Sequence, residues 1–170
     1  KSYFGERAQI VRCMPNTPAM IGLGVTGLFT NCSLSREMLD AVEFLFNCVG
    51  STHWVQNESD LNIVTALSGS GPAYFFLFVE CLIDAAIKLG LDESTAISMA
   101  KSTATGASHM MLESASDIKE LRDAVTSPGG TTERAIETFL ANGLRDSAFN
   151  ALEAAHHRAL ELAKEFDPLQ

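Results

Sequence analysis

The stretch "ALSGSGPAYFFLFVECLIDAAIKLG", Ala66 to Gly90, decides the fold. A small, polar segment, Leu67–Pro72, leads into the most apolar run of the chain, Ala73–Leu89. The polar residues of that run, Glu80, Asp84 and Lys88, recur one helical turn apart, which predicts a helix with a single polar stripe. A helix so apolar needs cover on nearly every other side, more than one small domain supplies. It holds three charges and falls short of the roughly 20 residues of a membrane span, so it reads as a buried helix of a water-soluble fold. Pro72 suits the first helical position, which leaves "LSGSGP" as a loop. That loop either lines a site or is a tight turn with a serine cap.

Everything downstream reads as helix. Gly90 stops the apolar run, and Asp92 caps a helix to about Leu112. Its small residues (Ala96, Ala100, Ala104, Gly106, Ala107) let helix axes approach closely. Ser116 opens a shorter helix through about Val125, with Ile118, Leu121 and Val125 facing inward. "TSPGGTTERAIETFL", Thr126–Leu140, is a loop opening another helix, which Asn142-Gly143 ends. The last helix covers about Leu144–Phe166, with Pro168 beyond it.

Upstream the character changes. A short helix covers Ser59–Ala66. Before it come three strand candidates, Ala8–Met14, Gly24–Thr30 and His53–Gln56, and a helix over Arg36–Asn47 capped by Ser35, with Gly50 as its stop. Pro15 and Pro18 in "MPNTP" forbid a continued central strand. Three strands and one helix cannot cover both faces of an open sheet. "GLGVTG", Gly22–Gly27, precedes a strand instead of opening a helix, so it fails as a dinucleotide fingerprint. The fold class is therefore mainly α: residues 1–57 look like the end of an α/β domain, and 58–170 like a complete helical one.

Composition narrows the function. A net charge of −9 argues against nucleic-acid binding but leaves small anions open. Cysteines at 13, 32, 48 and 81 form no CxxC pair, and His156 and His157 stand far from them, so no metal site is expected and the thiols read as reduced and mostly buried. The opening residues lack an apolar signal region, and a cytoplasmic location is the expectation.

Three loops could do chemistry. In "TSPGGTTERAIETFL" the first helical turn leaves backbone N–H groups unpaired at the positive end of the helix dipole. With glycines at 129 and 130 and hydroxyls at Thr126, Ser127, Thr131 and Thr132, this is either an anion cradle or an ordinary capped turn. "MPNTP" ends a strand, where α/β domains place ligands, and is otherwise a rigid connection. No Ser-His-Asp set or HExxH motif is present.

Taken in order, "VRCMPNTPAM", "ALSGSGPAY" and "LRDAVTSPGGTTERAI" resemble pyrroline-5-carboxylate reductase, from about Ile10 to the last helix. The resemblance implies a Rossmann NAD(P)-binding domain, of which 1–57 is the C-terminal remnant, followed by an all-helical dimerisation and substrate-binding domain, 58–170. It implies NADPH or NADH as cofactor and 1-pyrroline-5-carboxylate as substrate, reduced at its C=N bond to L-proline. It further implies a homodimer through the helical domain, dimers assembling into rings, and no membrane partner. By the same likeness, Ser127, Gly129, Gly130, Thr131 and Thr132 hold the substrate, with Thr132 as the catalytic residue beside the ring nitrogen. Met14, Pro15, Asn16 and Thr17 flank the nicotinamide, and Ser70 and Gly71 line the site. The family's nucleotide fingerprint should precede Lys1, so these residues alone are expected to be inactive. Two rivals stand beside this reading. One is a helical dimerisation module without activity. The other is a related two-domain reductase for another imine or a 3-hydroxy acid; such enzymes use a helical lysine of the second domain, and the helical lysines of the central part, Lys88 and Lys101, sit beside no glycine-rich catalytic motif.

Overall fold

The structure, a computed structural model, describes residues 4, 5 and 8–165. The chain divides into two compact units, Lys1–Tyr74 with Asn150–Gln170, and Phe75–Phe149.

In the first unit a three-stranded sheet runs β1 (Arg12–Met14), β2 (Gly24–Phe29), β3 (Gly50–Trp54) in that spatial order. β1 pairs antiparallel to β2, with Met14 opposite Gly27, and β3 pairs parallel to β2, with Gly24 opposite Gly50. The crossover between the parallel strands is α1 (Arg36–Asn47). Ser35 caps it by accepting the Met38 N–H, and the Trp54 indole donates to Glu43 at 2.7 Å, tying α1 to β3.

Two strands differ from expectation. β1 is only the last three residues of Ala8–Met14, because the Thr30 hydroxyl, where the ladder would continue, takes the Ile10 carbonyl at 2.8 Å. β3 begins three residues early. Gly50 starts the strand and does not stop the helix: its φ is 152°, and a Cβ there would run into the Gly24 carbonyl. β2 is the central strand, with Thr26 and Leu28 fully buried. α2 (Asp60–Val64) packs on it at Gly27, where a Cβ would stand 2.7 Å from Val64 Cγ1. Leu61 and Ala66 close this small core, and Ala159 of α7 (Leu144–Glu165) is also buried. The predicted end of that helix, Phe166, and Pro168 beyond it lie outside the described residues.

Past α2 the helix continues. Thr65–Gly69 is a π turn, and α3 (Gly71–Lys88) follows after Ser70. "LSGSGP" is thus largely helical, and Pro72 is the second residue of α3. This overturns the length argument against a membrane span: Asp60–Lys88 is long and apolar enough to cross one, by length and composition alone. Nor is α3 buried in this chain, since Phe75, Phe76 and Leu77 are each more than half exposed.

The second unit holds the rest of α3 with α4 (Glu93–Glu113), α5 (Ile118–Ala124), α6 (Thr131–Ala141) and the start of α7. Asp92 caps α4 as expected. The cap of α5 is Asp117, one residue later than predicted, because its carboxylate takes the Glu120 N–H at 2.8 Å. Phe78 of α3 meets Phe139 of α6 at 5.7 Å between ring centroids, in a tilted contact favourable for aromatic rings. Ile118 and Val125, expected inside, are exposed, as are Cys13, Cys48 and Cys81, expected mostly buried. The common cause is uncovered surface. The chain exposes 12536 Å², whereas two free-standing compact units of the same total mass would expose about 10,000 Å².

Candidate functional site

In the first unit, two of the three loops meet at Asn16. Its side-chain amide donates to the Ser68 carbonyl at 2.9 Å, and its Oδ1 accepts the Val25 N–H at 2.8 Å. The reason lies in the helix. The Ser68 carbonyl would normally be paired by the N–H four residues on, but that residue is Pro72, which has none. The π turn creates a second orphan. Ser70 N–H reaches back to Thr65 at 2.9 Å, so the Ala66 carbonyl is left for the Tyr74 hydroxyl, which donates to it at 3.0 Å. Met14 completes the junction: a Cβ on Gly69 would stand 2.7 Å from its terminal methyl.

Asn16 therefore spends both ends of its side chain inside the protein. Pro15 and Thr17 are exposed on either side of it, and Ser70 is half-buried above the buried Gly71. Sequence reasoning found Asn16 but missed Val25 and Ser68 as its partners. The available signal was a proline four residues after a serine carbonyl.

The third loop is in the second unit. Gly130 N–H donates to the Ser127 carbonyl at 2.9 Å across Pro128 and Gly129, and Gly129 has φ 74°. This is a type II turn, which favours proline first and glycine second. Gly130 is then the N-cap of α6. A serine or aspartate there would take the N–H of the second or third helical residue; glycine has no side chain to do so. The N–H groups of Thr131, Thr132 and Glu133 consequently have no protein acceptor among the described residues. The hydroxyls of Ser127, Thr131 and Thr132 are likewise unpartnered there, while Thr126 is spent on the Arg122 carbonyl at 2.6 Å.

The N–H groups of Gly129 and Gly130 are already engaged within the loop, the first by the Glu133 carboxylate at 2.7 Å. Open donors thus stand one to three residues further along than the glycines. The arrangement can bind an anion, and the Glu133 carboxylate beside it is spent on the Gly129 N–H.

The nearby cations have partners of their own. Arg122 binds Asp123 at 2.7 Å, and this bond, then that of Lys119, holds the Asp123 carboxyl below the usual aspartate range. In the first unit, taken by itself, Arg12 binds Glu58 at 2.7 Å. Among the described residues no three metal-ligating side chains cluster.

These observations define a class: a mainly α chain headed by the last strands and helix of a Rossmann-type α/β domain, with an anion-ready helix start in its helical part. Comparison with known proteins gives the family. The model described as pyrroline-5-carboxylate reductase dimerisation matches residues 58–162. The chain is 44% identical to pyrroline-5-carboxylate reductase of Pseudomonas aeruginosa over 97% of its own length and 60% of that relative. It is 35% identical to pyrroline-5-carboxylate reductase 2 of Bacillus subtilis over 96% and 59%. Among solved structures, the Coxiella burnetii pyrroline-5-carboxylate reductase superposes with TM-score 0.91 at 43% identity, over 95% of this chain and 60% of that one. The Plasmodium falciparum pyrroline carboxylate reductase, solved with NADP bound, gives 0.79 at 35%, over 91% and 59%. The chain belongs to the pyrroline-5-carboxylate reductase family, and it spans about 60% of the length of the relatives it matches.

Proposed function

We propose that the chain works as part of an enzyme that reduces the C=N bond of 1-pyrroline-5-carboxylate to give L-proline, with NADPH or NADH. Residues 1–57 would close its NAD(P)-binding domain, and 58–170 would form its dimerisation and substrate-binding part; the family model begins at 58. The observation that carries the reading is the glycine-capped start of α6, whose three open N–H groups suit the one carboxylate of the substrate. The hydroxyls of Ser127 and Thr131 add donors, and that of Thr132 orients the ring nitrogen. Gly129 and Gly130 shape the turn.

The loop Met14–Thr17 suits a nicotinamide ring. It presents proline and a hydroxyl, has no charge for a phosphate, and is held rigid through Asn16. NADPH or NADH, when bound, supplies the hydride. The protonated imine needs only to be held at the proper distance and angle: its C=N electron pair moves to nitrogen, which already bears its proton. Ser70 and Gly71 line the same loop junction.

The exposed apolar side of α3 is read as the face of a homodimer, with rings of dimers as the further assembly. The stripe of Glu80, Asp84 and Lys88 and the family's dimerisation model favour a second copy over lipid. A cytoplasmic location accords with this.

The test is NADPH oxidation by the full-length protein with 1-pyrroline-5-carboxylate, following L-proline. Wild type turns over and Thr132→Ala loses at least ten-fold in kcat/KM, the worth of roughly 1.4 kcal/mol of lost positioning. No turnover, or a Thr132→Ala protein with kcat and KM both unchanged, contradicts the proposal.

A further inference from the structure

Glu133 is the acidic side chain at the start of α6 that turns back onto the loop. Its Oε2 accepts the Gly129 N–H at 2.7 Å, and the side chain is half-buried. A carboxylate placed here is at first sight out of place, because a second carboxylate is to bind at the same helix start. Its hydrogen bond resolves this. Glu133 sits at the third helical position and reaches behind the N-cap, in the manner of a capping-box glutamate displaced by one residue. It spends its charge on a donor that faces the loop, and leaves the N–H groups of Thr131, Thr132 and Glu133 itself open.

Gly129 is the residue that most needs such a tie. It holds φ 74°, no heavy atom beyond its two chain neighbours stands within 4 Å of where its Cβ would be, and a glycine adopts many other conformations. Among the described residues, two hydrogen bonds hold the peptides of the turn itself: Gly130 N–H to Ser127, and Gly129 N–H to Glu133. Loss of the second frees the Pro128–Gly129 peptide and with it the direction of the Ser127 hydroxyl and the first turn of α6.

We infer that Glu133 is a positioning residue: through Gly129 it pre-sets the Ser127–Thr132 loop for the substrate carboxylate, and it takes no part in hydride transfer. The inference rests on the function proposed above. Glutamine can accept the same hydrogen bond without the charge, whereas alanine cannot accept it at all.

Steady-state kinetics of full-length wild type, Glu133→Ala and Glu133→Gln proteins tests it, with a melting curve for each. Glu133→Ala should raise KM for 1-pyrroline-5-carboxylate about three- to ten-fold, the worth of one net hydrogen bond, with kcat within two-fold and KM for NADPH unmoved. Glu133→Gln should return the substrate KM to the wild-type value or below, since it also removes a like charge. An unchanged or lowered KM in Glu133→Ala overturns the inference, as does equal impairment of both variants. If wild type itself does not reduce the substrate, the proposed function fails first and the inference with it.

Discussion

The side-chain amide of Asn16 stands in for the N–H that Pro72 lacks, donating to the Ser68 carbonyl at 2.9 Å. One side chain thereby joins a loop at the end of β1 to a helix start more than fifty residues away in sequence, and its other end fixes the first residues of β2 through Val25. Asn16→Ala leaves a part-buried carbonyl and a part-buried N–H unpaired. It should lower stability by about 1–3 kcal/mol, read from the denaturant midpoint. A midpoint equal to wild type would show that water replaces the amide at no loss.

Gly27 governs how closely α2 approaches the sheet. Gly27→Ala puts a Cβ 2.7 Å from Val64 Cγ1. It should cost about 1–3 kcal/mol by overpacking. The second change Val64→Ala should recover part of that loss, so the pair will be non-additive in a double-mutant cycle.

The parts of the fold legible in the sequence were those set by local chemistry. Ser35 and Asp92 cap the helices they were expected to cap, because a short polar side chain before an apolar period leaves little choice. The turn at Ser127–Gly130 was visible as a loop, although which of its donors were free was not. That depends on a backbone bond from Gly130, which the turn type implies, and on the Glu133 carboxylate accepting the Gly129 N–H, which it does not. The π turn at Thr65–Gly69 is illegible, since Ser68 and Gly69 read as loop, while the carbonyls it orphans are taken by Asn16 and Tyr74. The exposure of α3 agrees with the expectation that one small domain cannot cover it. Apolar content shows that a helix needs cover, and does not show whether its own chain provides it.

Phe76 is 71% exposed on α3. A large exposed apolar surface marks an association site. Phe76→Asp should convert the proposed dimer of the full-length protein to a monomer at micromolar concentration, measured by light scattering. A dimer of unchanged mass would place the interface elsewhere.

Asp92 carries a pH dependence. Hydrogen bonds from Thr95 and then Ser94 lower its pKa from 3.8 to about 2. A carboxyl whose folded pKa is depressed stabilises the fold above its unfolded pKa and loses that contribution as pH falls through the folded one. The melting temperature of Asp92→Ala should therefore lie below wild type by a constant gap above about pH 4, a gap that closes between about pH 4 and 2. A gap that persists unchanged at pH 2 would show that the cap works without its charge.

In the proposed enzyme the first turn of α6 holds the substrate carboxylate. A crystal structure of the full-length protein with L-proline tests it most directly. The proline carboxylate should lie within hydrogen-bond distance of the N–H groups of Thr131, Thr132 or Glu133 and the Ser127 hydroxyl, with the ring nitrogen toward Thr132. A carboxylate seated on Arg12 or Arg122, with the start of α6 empty, would contradict it.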